Sequence, residues 1–336
     1  MLSGAFSPGW YMLMGVWALP NERSRFTAVY WFGQVLGIIF GYTTSGLLCV
    51  NGFGNKWSSI FYVHGLLGLV CALCWWLFVY NSPRQHPRIS TAEVNLIELH
   101  VTRKSQDEVP WCKIMSYVPC WAMFITHFCD NCIYYLCITC LPLYMKEILK
   151  FDIQSNGMFS SLPFLVMMFG TLCAGFMADF VRSKEIMRIT NIRKMFQTIG
   201  LLGVATFIII PGYLTCELRA IVIVCLCLCT FFESIGNVGG YTSVCVDMAP
   251  RYASVIFAIS NSISALPGIL APIAVAELTQ NQTSEEWRVV FFIAAGVSIF
   301  AALVFDMFSS SDRAPWAEDQ NNDIELEASK PLNVER

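Results

Sequence analysis

Phe159-Ser-Ser-Leu-Pro163-Phe-Leu-Val-Met-Met-Phe-Gly170-Thr-Leu-Cys-Ala-Gly175-Phe-Met-Ala-Asp179-Phe-Val-Arg182-Ser-Lys184 holds no charge until Asp179, then three charged side chains in quick succession. At about 1.5 Å of rise per residue, the uncharged part is long enough as a helix to cross the roughly 30 Å of hydrocarbon in a bilayer. The charged end then stands at the membrane interface. Similar apolar runs fall at residues 2–18, 27–50, 60–80, 118–144, 195–213, 219–244, 253–278 and 289–308. With residues 159–181 they predict an all-α integral membrane protein of about nine transmembrane helices. Short gaps make neighbouring helices antiparallel.

Composition agrees. Of 336 residues, 56% are hydrophobic and 13% charged, against about 25% charged in a soluble domain. The mean hydropathy is +0.56. A net charge of −3, with cations confined to gaps, leaves no basic face and argues against nucleic acid as a partner. The 15 cysteines lie mostly inside apolar runs, as Cys225, Cys227 and Cys229 do, and read as small hydrophobes. None has metal-finger spacing, so no metal site is expected. No basic segment precedes the first apolar run, so no cleavable signal peptide is read. A channel is disfavoured because no carbonyl-rich filter is visible. An enzyme is disfavoured too, because the runs hold no glycine-flanked nucleophile with a base and no paired metal ligands, and no catalytic residue is assigned.

Lysine and arginine set the orientation, since cytoplasmic loops keep them in excess. Of the 21, only Lys56, Lys146, Lys150, Arg219 and Arg288 fall on one side. Arg23, Arg25, Arg182, Lys184, Arg193, Lys194 and the tail's Arg313, Lys330 and Arg336 are among those on the other, which is therefore read as cytoplasmic. The sequon Asn281-Gln282-Thr283 then lies on the non-cytoplasmic side, as a candidate glycosylation site.

In Gly175-Phe-Met-Ala-Asp179-Phe-Val-Arg182-Ser-Lys184 the glycine permits close helix approach. Asp179 is suited to capping the next segment or pairing with a base, and the cations anchor to the cytoplasmic face. This stretch resembles the loop motif of the major facilitator superfamily, which occurs once in each half of that fold. Further stretches extend the likeness: Trp17-Ala-Leu-Pro-Asn-Glu22-Arg23-Ser24-Arg25, Tyr80-Asn-Ser-Pro83-Arg-Gln-His86-Pro87, Leu141-Pro142-Leu-Tyr144, Asp247-Met-Ala-Pro250-Arg251-Tyr252 and Glu285-Glu286-Trp287. In this order they resemble the anion:cation symporter family, which contains sialin, vesicular glutamate transporters and type I sodium/phosphate cotransporters.

The resemblance implies that the apolar runs are the fourth to twelfth helices of a twelve-helix fold. Residues 1–80 are then the last three helices of the first bundle, 81–117 the cytoplasmic central loop and 118–308 the second bundle. Residues 309–336 read as a disordered cytoplasmic tail. The implied activity is secondary transport of a small organic or inorganic anion by alternating access, in symport with sodium or protons and with no other cofactor. A monomer in membrane lipid is expected, in the plasma membrane or in the membrane of an intracellular vesicle or lysosome. The alternative is a truncated, non-transporting product of such a gene, because three helices of the twelve have no counterpart.

Asp130 and Glu233 lie near the middle of runs that the resemblance places along the cavity. Ionisable groups at bilayer depth are costly and mark substrate or ion paths. Tyr134, four residues beyond Asp130, and its neighbour Tyr135 are candidate substrate contacts. Family members that carry glutamate have an arginine at the place of Asp130 and a carboxylate at that of Ser3, so Ser3 joins the candidate binding residues, but neither charge is kept. Gly175, Asp179, Arg182, Glu22, Arg23 and Arg25 are assigned to gating. His64 reads as a satisfied core histidine, while His127 shares a face with Asp130. Gly33, Gly37, Gly41 and Gly46 form a small-residue ridge, and Asn261, Pro267, Gly268 and Pro272 predict a bent helix.

Opposite sides for Asn281 and the C-terminal tail are the expected outcome of glycosylation mapping combined with protease protection. Finding both on one side would contradict the orientation.

Overall fold

The computed structural model describes residues 13, 16, 17, 23–100, 109–184, 187–214, 216–250 and 252–317. Among them, eight helices are long and apolar enough to cross a membrane. They are α1 (Arg23–Asn51), α2 (Trp57–Phe78), α3 (Val118–Glu147), α4 (Ile153–Ser183), α5 (Ile189–Tyr213), α6 (Arg219–Met248), α7 (Ala253–Leu278) and α8 (Ser284–Phe308). The run at 2–18 lies almost wholly outside the described residues, as do Ser3 and Glu22. Arg23 and Arg25 stand in the first turn of α1. Two short helices, Thr91–His100 and Trp111–Ser116, occupy the central loop.

Large apolar side chains cover the outside: Trp76 is 78% exposed, Phe176 76% and Met307 70%. A water-soluble fold would bury such a surface, whereas lipid solvates it. Inside, α6 packs on α4 and α5, α8 on α5 and α3, and α7 on α3, giving a six-helix bundle. α1 lies against α4, and α2 packs on α1. Between α1 and α2, Thr44 Oγ1 meets His64 Nε2 at 3.2 Å and the His64 Nδ1 meets the Ile60 carbonyl at 2.9 Å, so His64 is a satisfied packing residue.

α4 and α8 start earlier than their apolar runs, and both open on polar caps. The Asp152 side chain accepts the Ser155 N–H and opens α4, and Thr283 with Glu286 forms a capping box at α8. Arg193 and Lys194, read from the sequence as loop cations, lie within α5. Arg193 Nε is 2.8 Å from Asp247 Oδ2 in a buried ion pair. Lys194 donates to the Asp306 carbonyl and Thr198 to the Asp306 carboxylate, which ties α5 to α8. At the opposite end, beside Asn281, Trp287 Nε1 donates to Glu147 and Arg288 Nε to the Gly212 carbonyl.

The structure corrects four expectations. Gly33, Gly37 and Gly41 face open space; of that ridge only Gly46 makes a close crossing, where an added Cβ would lie 3.2 Å from Gly157 Cα. Gly175 likewise faces open space rather than a neighbouring helix. Asp179 is exposed within the last turns of α4, caps nothing, and has no side-chain partner among the described residues, because α4 continues past it to Ser183 and α5 is preceded by Arg188. The segment 309–317, read as the start of a disordered tail, is packed: the Ala314 N–H donates to the Met248 carbonyl, and Trp316 contacts Tyr117 and Tyr252. Its apolar side chains find a site at the bundle end that no local pattern reveals. Residues 318–336 lie outside the described residues.

A close backbone crossing joins α5 and α6, where a Cβ on Gly200 would fall 2.6 Å from Gly236 Cα. Without a hydrophobic drive between helices in lipid, such backbone contact supplies much of the association. Gly200→Val is therefore expected to destabilise by about 1–3 kcal/mol or more through overpacking. Gly175→Val should be near neutral. Thermal unfolding of the two variants in detergent checks this, and equal stability would contradict the crossing.

Candidate functional site

The centre of the bundle holds both carboxylates singled out above. Asp130 on α3 and Glu233 on α6 are each 2% exposed, within electrostatic reach of each other. Tyr241 donates its hydroxyl to Asp130 Oδ2 at 3.3 Å and accepts from Asn237 Nδ2 at 3.0 Å. Glu233 Oε2 has no hydrogen-bond partner among the described residues, and neither has the buried Thr126 Oγ1.

A helix interruption positions Tyr241. α6 runs regularly from Arg219 to Gly239, breaks at Gly240 and resumes at Tyr241. A Cβ at Gly240 would meet the Gly236 carbonyl oxygen at 2.5 Å and Gln197 Oε1 at 2.1 Å, so any side chain there would have to shift backbone. The Gln197 oxygen also accepts the Tyr241 N–H at 3.0 Å, so Gln197 of α5 satisfies a backbone donor at the break. The apolar run at 219–244 hid the break, although the pair Gly239-Gly240 is a local signal for it.

His127, one turn before Asp130, ties α3 to α7. Its Nδ1 is 2.7 Å from Ser260 Oγ and its Nε2 3.2 Å from Ser264 Oγ. Its ring lies between Tyr241, at 4.8 Å, and Phe257, at 5.7 Å. Ser264 immediately precedes the break in α7, which falls between Ser264 and Pro267. Asn261 lies inside the first half of α7 rather than at this break. A polar chain thus extends from Asp130 through Tyr241 to Gln197, and the ring stack carries it to the α7 serines.

Of the other candidates, Tyr134 is half-buried and within electrostatic reach of Glu233. Tyr135 packs instead against the α7 backbone, 3.0 Å from where a Gly268 Cβ would stand. Asp179 and Arg182 are exposed at the far end of α4, away from this cluster. Trp17, in the stretch that contains Glu22, Arg23 and Arg25, donates to the Tyr80 carbonyl and contacts His86, which joins two of the quoted motifs.

Among the described residues neither carboxylate has a cationic side-chain partner, and an uncompensated ion in such an interior costs several kcal/mol. The donors present serve mainly one oxygen of Asp130. The arrangement is therefore suited to holding positive charge from outside the chain, either a proton or a small cation.

The family model described as Major Facilitator Superfamily matches residues 1–272. Human sialin is 33% identical over 318 residues, covering 94% of this chain and 63% of sialin. Vesicular glutamate transporter 1 of Xenopus tropicalis is 34% identical over 332 residues, covering 97% of this chain and 57% of that protein. Human vesicular glutamate transporter 2 is 33% identical over 332 residues, with 97% and 56% covered. The chain spans about three-fifths of the length of the curated relatives it matches. These matches bear out the likeness drawn from the motifs. With membrane-spanning helices throughout and a family match across most of its length, the chain belongs to the major facilitator superfamily.

Proposed function

We propose that the protein is a secondary transporter that carries a small organic or inorganic anion by alternating access, in symport with protons or sodium. The observation that carries the proposal is the buried Asp130 carboxylate, with Tyr241 as donor and Glu233 in reach. A carboxylate at this depth persists when a proton, a cation or a donor balances it, and exchange of that balancing charge is what coupling requires. The names of the relatives, sialin and vesicular glutamate transporter, support an anionic solute as the substrate class. The place of the protein is the plasma membrane or the membrane of an intracellular vesicle or lysosome.

Asp179 and Arg182 act in this reading at the cytoplasmic rim, in the conformational cycle rather than in substrate contact. Asn281 is the proposed glycan acceptor on the opposite face. It is exposed, and its Nδ2 donates to Glu286 at 2.7 Å, a bond that the capping box does not need.

In the full-length protein, Asp130→Asn keeps the volume and an acceptor for Tyr241 but abolishes exchange of a charge. Uptake per surface molecule should then lose its dependence on the proton or sodium gradient while surface expression stays near normal. Unchanged coupling would remove Asp130 from the mechanism, and loss of expression with coupling intact would mark a packing role. Asp179→Asn should slow uptake several-fold and leave the ranking of substrates unaltered. A changed ranking in competition assays would contradict its place at the rim.

A further inference from the structure

The regular helix of α3 is interrupted at Leu136–Cys140 by a π turn. Pro142 removes one donor there: it has no N–H, so the Ile138 carbonyl, four residues earlier, lacks its α-helical donor. That carbonyl accepts instead from the hydroxyl of Tyr42 on α1. The Tyr42 ring stacks on Phe164 of α4, with centroids 5.8 Å apart. One turn further along α1, Gly46 crosses Gly157 backbone to backbone. Val35, Ile38 and Ile39 complete a stripe of α1 against the six-helix bundle. Toward the opposite end of α1, among the described side chains, Phe26 is 44% exposed, Val29 67% and Phe32 45%.

We infer that Tyr42 is a gate residue, whose hydroxyl closes the seam between α1 and the six-helix bundle at the face that carries Asn281, and leaves that seam when this face opens. The inference rests on the alternating-access reading above. The chemistry suits a seam that is made and broken. A hydrogen bond to an acceptor that Pro142 leaves without its α-helical donor costs no α-helical bond when released, and a π turn is a local irregularity frequent at functional sites. The neighbouring seam is glycine on glycine, with no side chain to interlock.

The π turn carries its own reporters. Cys137 and Cys140 are 3% and 4% exposed beneath this seam. In the full-length protein in sealed vesicles, a charged, membrane-impermeant thiol reagent applied from the Asn281 face should modify them slowly, read peptide by peptide by mass spectrometry. Tyr42→Phe keeps the ring and its stacking and removes only the hydroxyl. It should raise the modification rate about fivefold, the shift expected for losing one hydrogen bond of ordinary net strength. Gly46→Ala, which pushes the same seam apart without touching Tyr42, should shift it in the same direction. An unchanged rate in both variants, or an equal rise with reagent on the opposite face, would overturn the assignment. Labelling needs no substrate, so absence of anion uptake would count against the transport reading alone. Unchanged labelling with uptake intact would count against the gate alone.

Discussion

A carboxylate enclosed by helices that are themselves solvated by hydrocarbon has to find its balance inside the protein. Asp130 has no arginine or lysine facing it in the described contacts, and its hydrogen bond from Tyr241 is made by a residue 111 positions away. The tyrosine that makes that bond is the first residue after the break in α6 at Gly240. The break in turn exposes a backbone N–H, which Gln197 of a third helix satisfies. One costly group therefore draws α3, α5 and α6 into a single arrangement, and the stacking of His127 on Tyr241 extends it to α7.

The remaining packing leaves that arrangement room to exist. Glycine-on-glycine contact brings α5 and α6 together at Gly200 and Gly236, close to where the polar chain passes between them. At the cytoplasmic end predicted from the lysine and arginine pattern, the Arg193 and Asp247 pair and the Asp306 contacts hold α5, α6 and α8 together. The packed segment 309–317 adds a strap there. Within the six-helix bundle both ends are thus tied by specific polar contacts. The seam with α1 is of another kind, built from one hydroxyl, one ring stack, one glycine crossing and the apolar stripe of Val35, Ile38 and Ile39.

Much of this was legible in the sequence, and the division follows the physics. Length and hydropathy alone locate the helices, since lipid demands long uncharged runs. Asp130 and Glu233 stand out because charge at that depth is rare. What stayed hidden was partnership. Tyr241, Gln197, Arg193 and Asp247 satisfy groups on other helices, tens of residues away, and a tyrosine or glutamine in an apolar run has no local mark of that role. The helix starts at Ile153 and Ser284 lie ahead of the apolar runs, because those runs report the hydrocarbon slab, whereas Asp152 and Thr283 mark where the helices begin. The glycine ridge of α1 misled for a related reason: small residues permit contact without saying which face meets a neighbour. Pro142 is a readable signal that the Ile138 carbonyl lacks its α-helical donor, but acceptance from Tyr42 follows only from the fold.

In the transport reading, charge exchanged at the buried Asp130 and Glu233 cluster drives an anion across the membrane. Flux of a panel of radiolabelled anions into proteoliposomes, under imposed proton or sodium gradients, tests it most directly. The account predicts that at least one anion accumulates above its equilibrium level only when one of the two gradients is present, and that collapsing the gradient releases it. Equilibration of the same anion at a rate independent of both gradients would contradict it.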